Sequence, residues 1–296
     1  DVAGGRRVSF AFSPENLRLG KAIEAFWKPE RIVVGTRDAH SRDVIAPVLA
    51  PFCDRILWMT VESAEMAKHA INSFLATTIV YANELATLCE RVGADAYEVE
   101  AALRSEPRIG QKAPVRPGTA FAGGTLARDV QFMQQIAERE HLTVPLLSAI
   151  LPSNNAHRHW LMRCLTEQLQ PLAGKTVAVL GLAYKAGTDS LRRSIAIELC
   201  RWLVAQGATV QAFDPRVAAL PPDLAVSVRL ASDLDAALVS ADAAVVATEC
   251  DEFRALNAQK LISRMRQPIV IDQNRYLAAT LTDDPRVKYV ALGKPL

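Results

Sequence analysis

Cysteine is scarce in this chain of 296 residues, and none of its cysteines has a partner at Cys-x-x-Cys spacing. The five thiols are dispersed: Cys53, Cys89, Cys164, Cys200 and Cys250. An odd, scattered set is typical of reduced thiols and excludes a disulfide framework or a zinc ribbon. The histidines show no ligand spacing either, since His157 and His159 have no cysteine or acidic neighbour. We therefore predict no metal site and a cytoplasmic location.

The sequence also lacks a bias of charge and any long apolar run. Its 34 basic residues nearly balance its 32 acidic residues, which leaves a net charge of +2. That balance argues against a nucleic-acid partner, which calls for a basic patch or stripe. No apolar run approaches the roughly 20 residues of a membrane span. Half of the residues are apolar and 22% are charged, as in a globular protein with a sizeable core.

A methionine start and a signal-peptide pattern are missing as well. The chain begins at Asp1 and soon enters a strand-like run, Val8–Phe12. Two further short strands are predicted over Arg31–Gly35 and Ile56–Trp58. Three short strands are too few to enclose a hydrophobic core by themselves. We therefore expect residues 1–57 to be the remnant of an amino-terminal α/β domain, and the chain to be a fragment of a longer protein.

Residues 58–170 are predicted to form a helical domain. Glu62–Arg91 has no proline or glycine and has apolar residues at helical spacing, which predicts a long helix. Gly93 and Asp95 suit the end of this helix and the start of the next, Tyr97–Leu103. Further helices are predicted over Leu126–Glu138 and Val144–Leu169.

Residues 171–296 alternate strands with helices, which predicts a Rossmann-like, doubly wound parallel sheet. The strands are predicted over 176–181, 209–213, 243–248, 268–272 and 288–292, and the clearest helices over 194–206 and 234–241. Ligands bind such sheets beyond the carboxyl ends of the strands. Those ends carry Lys185, Asp214, Thr248 and Asn274.

Two segments could carry chemistry. Phe121–Val130 joins small residues to Thr125 and Asp129, which can share one face if a helix begins near Thr125. A threonine hydroxyl is a poor nucleophile without an adjacent base. Leu180–Ser194 is a glycine-containing loop between a strand and a helix, which suits either a phosphate site or an ordinary βα turn.

These segments and several others resemble the UDP-glucose/GDP-mannose dehydrogenase family, in the same order over essentially the whole chain. The Gly181–Lys185 run with Thr188, Asp189, Arg192 and Ser194 looks like the family's carboxy-terminal nucleotide-sugar motif. The matching residues elsewhere are Ser13–Arg18 with Gly20, Glu65, Lys68, Asn72, Asn83–Leu85, Arg108–Gly110, Asp214–Pro215, Thr248–Glu249, Glu252–Phe253, Ile271–Asp272 and Asn274.

The resemblance implies an enzyme that oxidises the C6 alcohol of a UDP- or GDP-sugar with NAD. Family members begin with a dinucleotide-binding domain that contains GxGxxG, and this chain contains no such loop. The family's cysteine, which holds the intermediate covalently, is replaced by Thr125. A family glycine is replaced by Ala122, and the second glutamate of the Pro-Glu motif by Leu19.

The remaining roles also follow from the resemblance. Lys68 and Asn72 would stabilise oxyanion charge and bind the sugar, and Asp129 would act as, or orient, a base. Glu15 would belong to the catalytic set and contact the sugar or a water. The sugar nucleotide would contact Arg108, Gly123, Gly124 and Lys185, with Arg108 reaching the partner subunit's site of a homodimer built on the long helix. Arg192 would reach the phosphates of NAD, a cofactor bound mostly by the missing domain.

Plainer interpretations stay open for several of these residues. Lys68 and Asn72 also suit a solvated helix face, and Asp129 suits the first turn of a helix. Cys250 and Cys89 are better explained as structural thiols. The protein is accordingly either a dehydrogenase with Thr125 at the cysteine position or a non-catalytic sugar-nucleotide-binding homologue, and this chain alone is expected to be inactive.

Overall fold

A computed structural model of the chain describes residues 2–3, 6–7, 9–15 and 22–295. Some predicted features lie outside these residues: Val8 of the first strand, and Asn16–Gly20 of the Pro-Glu motif, which includes Leu19. The helices are α1 Ala22–Trp27, α2 Ala39–Leu49, α3 Val61–Val92, α4 Ala96–Ser105, α5 Thr125–Arg139, α6 Pro145–Arg158, α7 Trp160–Leu169, α8 Ile195–Ala205, α9 Pro222–Ala225, α10 Leu234–Leu238, α11 Ala258–Arg264 and α12 Ala278–Leu281, with a 3-10 helix over Asp251–Ala255.

The strands form three sheets. They are β1 Val2–Ala3, β2 Arg6–Arg7, β3 Ala11–Phe12, β4 Ile32–Thr36, β5 Ile56–Met59, β6 Thr176–Leu180, β7 Thr209–Phe213, β8 Val228–Leu230, β9 Ala243–Val246, β10 Ile269–Asp272 and β11 Lys288–Ala291. Among the described residues, β1 and β2 form a two-stranded sheet, β3 to β5 form a three-stranded sheet, and the last six form one larger sheet.

The chain divides into two compact units, of which the first comprises Asp1–Leu75 and Asp129–Thr143. Its sheet has the order β3-β4-β5, with β4 parallel to β5 and antiparallel to β3. Val33 and Val34 of β4 are buried. A side chain at Gly35 would come within 2.6 Å of the Val61 backbone, so this glycine lets β4 approach the start of α3 closely.

The second unit comprises Ala76–Arg128 and Val144–Leu296 and is built on an all-parallel sheet of order β11-β10-β9-β6-β7-β8. Residues of β6 alternate between two apolar cores: Val177 and Val179 belong to one, Ala178 and Leu180 to the other. Because successive side chains of a strand point to opposite faces of the sheet, the two apolar cores cover the sheet on both faces. The predicted doubly wound fold is therefore confirmed, and its strand order changes direction at β6.

The long helix predicted over Glu62–Arg91 is confirmed by α3. The single helix predicted over Val144–Leu169 is wrong, because the chain breaks at His159 (φ −88°, ψ 7°) into α6 and α7. The break allows Trp160 to be fully buried, with its indole nitrogen 2.8 Å from Glu90. Sequence periodicity missed β8 and the short helices α9, α11 and α12, which are too short to show a period.

Two properties of the whole chain can be checked within the described ranges. No helix there combines the length and the apolar character that a membrane crossing requires. The same residues contain no group of three or more His, Cys, Asp or Glu side chains arranged to hold a metal ion.

Candidate functional site

In the first unit, Asp129 is the centre of a polar cluster between α3 and α5. This carboxylate is only 5% exposed. The side-chain amide of Asn72 donates a hydrogen bond to Asp129 Oδ2. Lys68, one helical turn before Asn72, places its ammonium 3.6 Å from the carboxylate of Glu15. Two pairs of predicted site residues are thus brought together, Asn72 with Asp129 and Lys68 with Glu15.

His69 belongs to this cluster, and sequence reasoning missed it. Its Nδ1 atom lies 3.2 Å from Asp129 Oδ1. The angle falls short of an aligned hydrogen bond, so the contact is primarily electrostatic. The ring stacks on Phe132, with centroids 4.3 Å apart and an interplanar angle of 30°. The available signal was spacing: His69 follows Lys68 directly and lies three residues before Asn72, on the same helix face.

In the second unit, the segment before α5 carries Thr125 as the first residue of the helix, and its side chain is exposed. Gly123 has a φ of +49°, a left-handed conformation that favours glycine. Its carbonyl accepts a hydrogen bond of 2.7 Å from Arg193. The resemblance had assigned roles to Lys185 and Arg192 in the same loop, but Arg193 is the side chain that contacts this segment.

The loop that leads to this segment is held through its backbone by three asparagine side chains. Asn83 accepts from the amide of Gly118, and Asn274 from that of Thr119, at 2.8 and 3.0 Å. Asn154 both accepts from and donates to the backbone of Phe121, at 3.0 Å in each direction. The loop is therefore preorganised before any ligand binds.

His157 completes this support from α6. Its Nε2 atom lies 2.9 Å from the carbonyl oxygen of Gly118 and 3.2 Å from the side-chain amide of Gln273. Burial lowers the pKa of His157 to about 4, so the ring is neutral near pH 7 and its Nε2–H can donate to the carbonyl.

A polar cleft of about 580 Å³ opens beyond the carboxyl ends of β9 and β10. Three arginines contribute to its lining, and each guanidinium lies over a tyrosine ring. Arg275 and Arg116 lie 4.0 and 4.8 Å from the ring centre of Tyr97, and Arg254 lies 4.3 Å from that of Tyr276. Several cations and two aromatic rings in one cleft suit an anionic, planar ligand such as a nucleotide.

The loop after β6 is shaped by close packing against β7 and β9. Gly181 has a φ of +82°, and a side chain there would lie 2.2 Å from the carbonyl oxygen of Thr248. Asp214 Oδ2 accepts from the amides of Leu182 and Ala183, at 2.7 and 3.1 Å. The hydroxyl of Ser194 accepts from two amides at the start of α8. Asp214 and Ser194 thereby occupy backbone donors that a phosphate would otherwise use.

Three predicted basic residues remain at the surface. Lys185 and Arg192 are exposed in the loop after β6, and the Lys185 ammonium lies 5.6 Å from the ring of Tyr184. Arg108 is exposed and donates to Glu106 at 2.8 Å. Their roles in ligand binding stay predictions.

Four of the five cysteines are not activated as nucleophiles. Burial raises the pKa of Cys250, Cys164 and Cys200 to about 12 in each case, and also raises that of Cys89. A thiol with a raised pKa is a poor source of thiolate near pH 7. Cys250, which directly precedes the 3-10 helix, is thus a structural side chain.

The described residues do not form a cradle for the phosphates of NAD. The sequence has no GxGxxG. The helix that follows β4 begins at Asp38, whose carboxylate accepts from the Ser41 amide. A negative charge at this helix start opposes phosphate binding.

A doubly wound parallel sheet with an arginine-lined cleft beyond its strand ends defines a Rossmann-like, nucleotide-binding class of protein. Residues 62–156 match the central domain of the UDP-glucose/GDP-mannose dehydrogenase family, and residues 178–279 match that family's UDP-binding domain. The UDP-glucose 6-dehydrogenase of Rickettsia bellii is 34% identical over 299 residues, which span 99% of this chain and 68% of that protein. The chain therefore belongs to the UDP-glucose/GDP-mannose dehydrogenase family.

Other relatives agree. The UDP-glucose 6-dehydrogenase of Haloferax volcanii is 36% identical over 93% of this chain and 65% of its own length. The structure of a UDP-glucose dehydrogenase from Pyrobaculum islandicum superposes with a TM-score of 0.80 at 30% identity, over 98% of this chain and 64% of that one. The chain thus spans about two thirds of the length of such relatives.

Proposed function

We propose that this chain is the sugar-nucleotide-binding part of a dehydrogenase that oxidises the C6 alcohol of a UDP- or GDP-sugar. One observation carries the proposal: Asn72 and the buried Asp129, two residues of the family's active-site pattern, are in direct contact. The arginine-lined cleft of the second unit supports a nucleotide diphosphate as the charged part of the substrate.

The domain arrangement and the cofactor are part of this proposal. Residues 1–57 would close the dinucleotide-binding domain, 58–170 would form the central domain, and 171–296 the nucleotide-sugar domain. The whole protein would use NAD, which supplies hydride acceptance when bound, with Arg192 reaching its phosphates. Because the described residues show no phosphate cradle such as GxGxxG, no step through NAD is assigned to them.

Binding by the cleft can be measured with the chain itself. Titration calorimetry with UDP-glucose, and with GDP-mannose, should show saturable binding to one site. Arg116→Ala should weaken that binding about tenfold or more, because a charge-assisted contact to phosphate contributes about 1.5–3 kcal/mol. Arg286→Ala is the matched control, since Arg286 pairs with Asp284 at the surface, away from the cleft residues.

Oxidation requires the whole protein, supplied with NAD and a panel of nucleotide sugars. Formation of NADH at 340 nm with one of them supports the dehydrogenase. Thr125 at the cysteine position favours a second candidate, a homologue that binds sugar nucleotides without oxidising them. Binding without any NADH formation would select that candidate.

A homodimer through α3 is the proposed assembly. Phe74, Tyr81 and Leu88 are exposed by 63%, 52% and 62% and follow one another at seven-residue spacing. A stripe of this kind on one helix is suited to pairing with a second copy. In such a dimer the exposed Arg108 is available to reach the partner's substrate.

A further inference from the structure

We propose that His69 is the proton acceptor for the sugar alcohol, with Asp129 as the group that orients and stabilises its ring. The proposal rests on the proposed function and names the base within that site. Asp129 itself is poorly placed to accept this proton. The residue as a whole is 5% exposed, Asn72 donates to its Oδ2, and its Oδ1 faces the ring of His69. Before a substrate arrives, Oδ2 therefore already accepts a hydrogen bond and Oδ1 lies against the ring of His69.

The side chain of His69 is the more accessible member of the pair, at 21% exposure against 8% for that of Asp129. Its Nδ1 atom is buried and 3.2 Å from Asp129 Oδ1. A carboxylate oxygen this close repels a lone pair on Nδ1 and attracts an N–H, so it favours the tautomer that has its proton on that nitrogen. The opposite nitrogen, Nε2, is then left with a lone pair that can accept a proton.

Stacking fixes the plane of this ring. Phe132 lies three residues after Asp129 on α5, and its ring centre is 4.3 Å from that of His69. A contact through the ring face leaves the nitrogens at the ring edge, so it restrains the imidazole without occupying Nε2.

The charges around His69 are suited to a proton transfer. Lys68 supplies a positive charge, held 3.6 Å from Glu15, that favours a developing alkoxide. Asp129, whose Oδ1 lies 3.2 Å from Nδ1, supplies a negative charge that offsets the positive charge developing on the ring. In the step, the O–H bond of the C6 alcohol breaks and an N–H bond forms at His69 Nε2. The electron pair of the O–H bond stays on oxygen, and no redox change accompanies this transfer.

The tautomer can be observed without any substitution. Nitrogen-15 NMR of the histidine side chains in this chain should show His69, near neutral pH, with its proton on Nδ1 and a bare Nε2. Asp129→Asn should remove that preference. A wild-type ring with its proton on Nε2 would overturn the proposal, whatever the activity of the whole protein.

Kinetics of the whole protein provide the second readout. His69→Gln should lower kcat about 100-fold, in the range typical of a lost general base, with little change in KM. His69→Ala should regain part of that rate when imidazole is added. His40→Gln is the control, because His40 is an exposed histidine on α2.

The outcomes separate this proposal from the function on which it rests. If the wild type oxidises a nucleotide sugar and His69→Gln is as fast as His40→Gln, the assignment of His69 is wrong and the dehydrogenase stands. If the wild type oxidises none of the sugars, the dehydrogenase itself fails and the role of His69 fails with it.

Discussion

Thr125 stands where the family pattern has a cysteine, so the thiol on which the family's covalent chemistry depends is missing at this position. It begins α5, its side chain is exposed, and it lies one turn before the buried Asp129. A hydroxyl at this place cannot form the thioester that a cysteine forms. If the proposed dehydrogenase holds, the Asn72–Asp129 contact supports a single two-electron oxidation of the alcohol, or oxidation through the hydrated aldehyde, in place of the covalent route.

Restoring the thiol tests this expectation. In the whole protein, Thr125→Cys should shift the product from the aldehyde, or its hydrate, toward the uronic acid, because a thiol can hold the intermediate covalently. Mass spectrometry of the sugar nucleotide after reaction measures the ratio. Thr125→Ser is the matched control and should leave it unchanged. An identical ratio for the cysteine and serine variants would contradict the covalent role of this position.

His157 gives the second unit a dependence on pH. Its pKa lies near 4 in the folded chain, against 6.5 for an ordinary histidine. Between pH 4 and pH 6.5 the unfolded chain binds a proton at His157 that the folded chain does not bind. The free energy of unfolding is therefore at its full value above pH 6.5, and part of it is lost as the pH falls toward 4. The shift corresponds to about 3 kcal/mol at most.

Urea unfolding of the wild type and His157→Gln across this pH window measures the effect. The wild type should lose more stability than the variant as the pH is lowered from 6.5 to 4. His141→Gln, at an exposed position, should follow the wild type. Parallel curves for the wild type and His157→Gln would show that His157 does not titrate in this window.

At the scale of the element, the loop after β6 shows why a glycine was needed. Sequence alone left this loop open as either a phosphate site or a plain βα turn. The structure places Gly181 against the Thr248 carbonyl and engages two amides of the loop with Asp214. Packing thus accounts for Gly181, whereas the cationic groups of the cleft come from other segments.

Two glycines with nearly the same backbone conformation allow the energetic cost of close packing to be separated from the cost of the conformation. Gly187 has a φ of +81° and open space around it, whereas Gly181, at +82°, faces the Thr248 carbonyl. Gly187→Ala should cost about 1 kcal/mol for the left-handed conformation alone. Gly181→Ala should cost about 3 kcal/mol or more, since overpacking adds to the same conformational term. Chemical denaturation of both variants measures the difference, and equal losses would contradict the close approach.

At the scale of the whole molecule, the exposed stripe on α3 predicts assembly. Leu88→Lys should convert a dimer to a monomer, because it places a charge in an apolar interface. Light scattering after size-exclusion chromatography measures the mass. Val226→Lys is the control, since Val226 is 87% exposed and lies outside the stripe. A monomeric wild type would rule out this dimer, and a dimeric Leu88→Lys would place the interface elsewhere.

The sequence by itself determined the order of the elements and the family. Helical spacing and apolar runs are local properties, so they predicted α3 and five strands of the large sheet. Resemblance to the family pattern identified Lys68, Asn72 and Asp129 as candidate site residues. The sequence did not predict the helix break at His159 or the strand β8. The break goes with the burial of Trp160 and β8 pairs at the edge of the sheet, and both of these depend on residues that are distant in the chain.

Only the tertiary structure decided which side chains meet. His69 reaches Asp129 across 60 positions of the chain, and the ring of Phe132 covers it. The cleft collects Arg116, Arg254 and Arg275 from separate segments. A linear pattern specifies neighbours within one element, whereas a charged or stacked contact depends on how two elements pack, and that packing exists only in the folded chain.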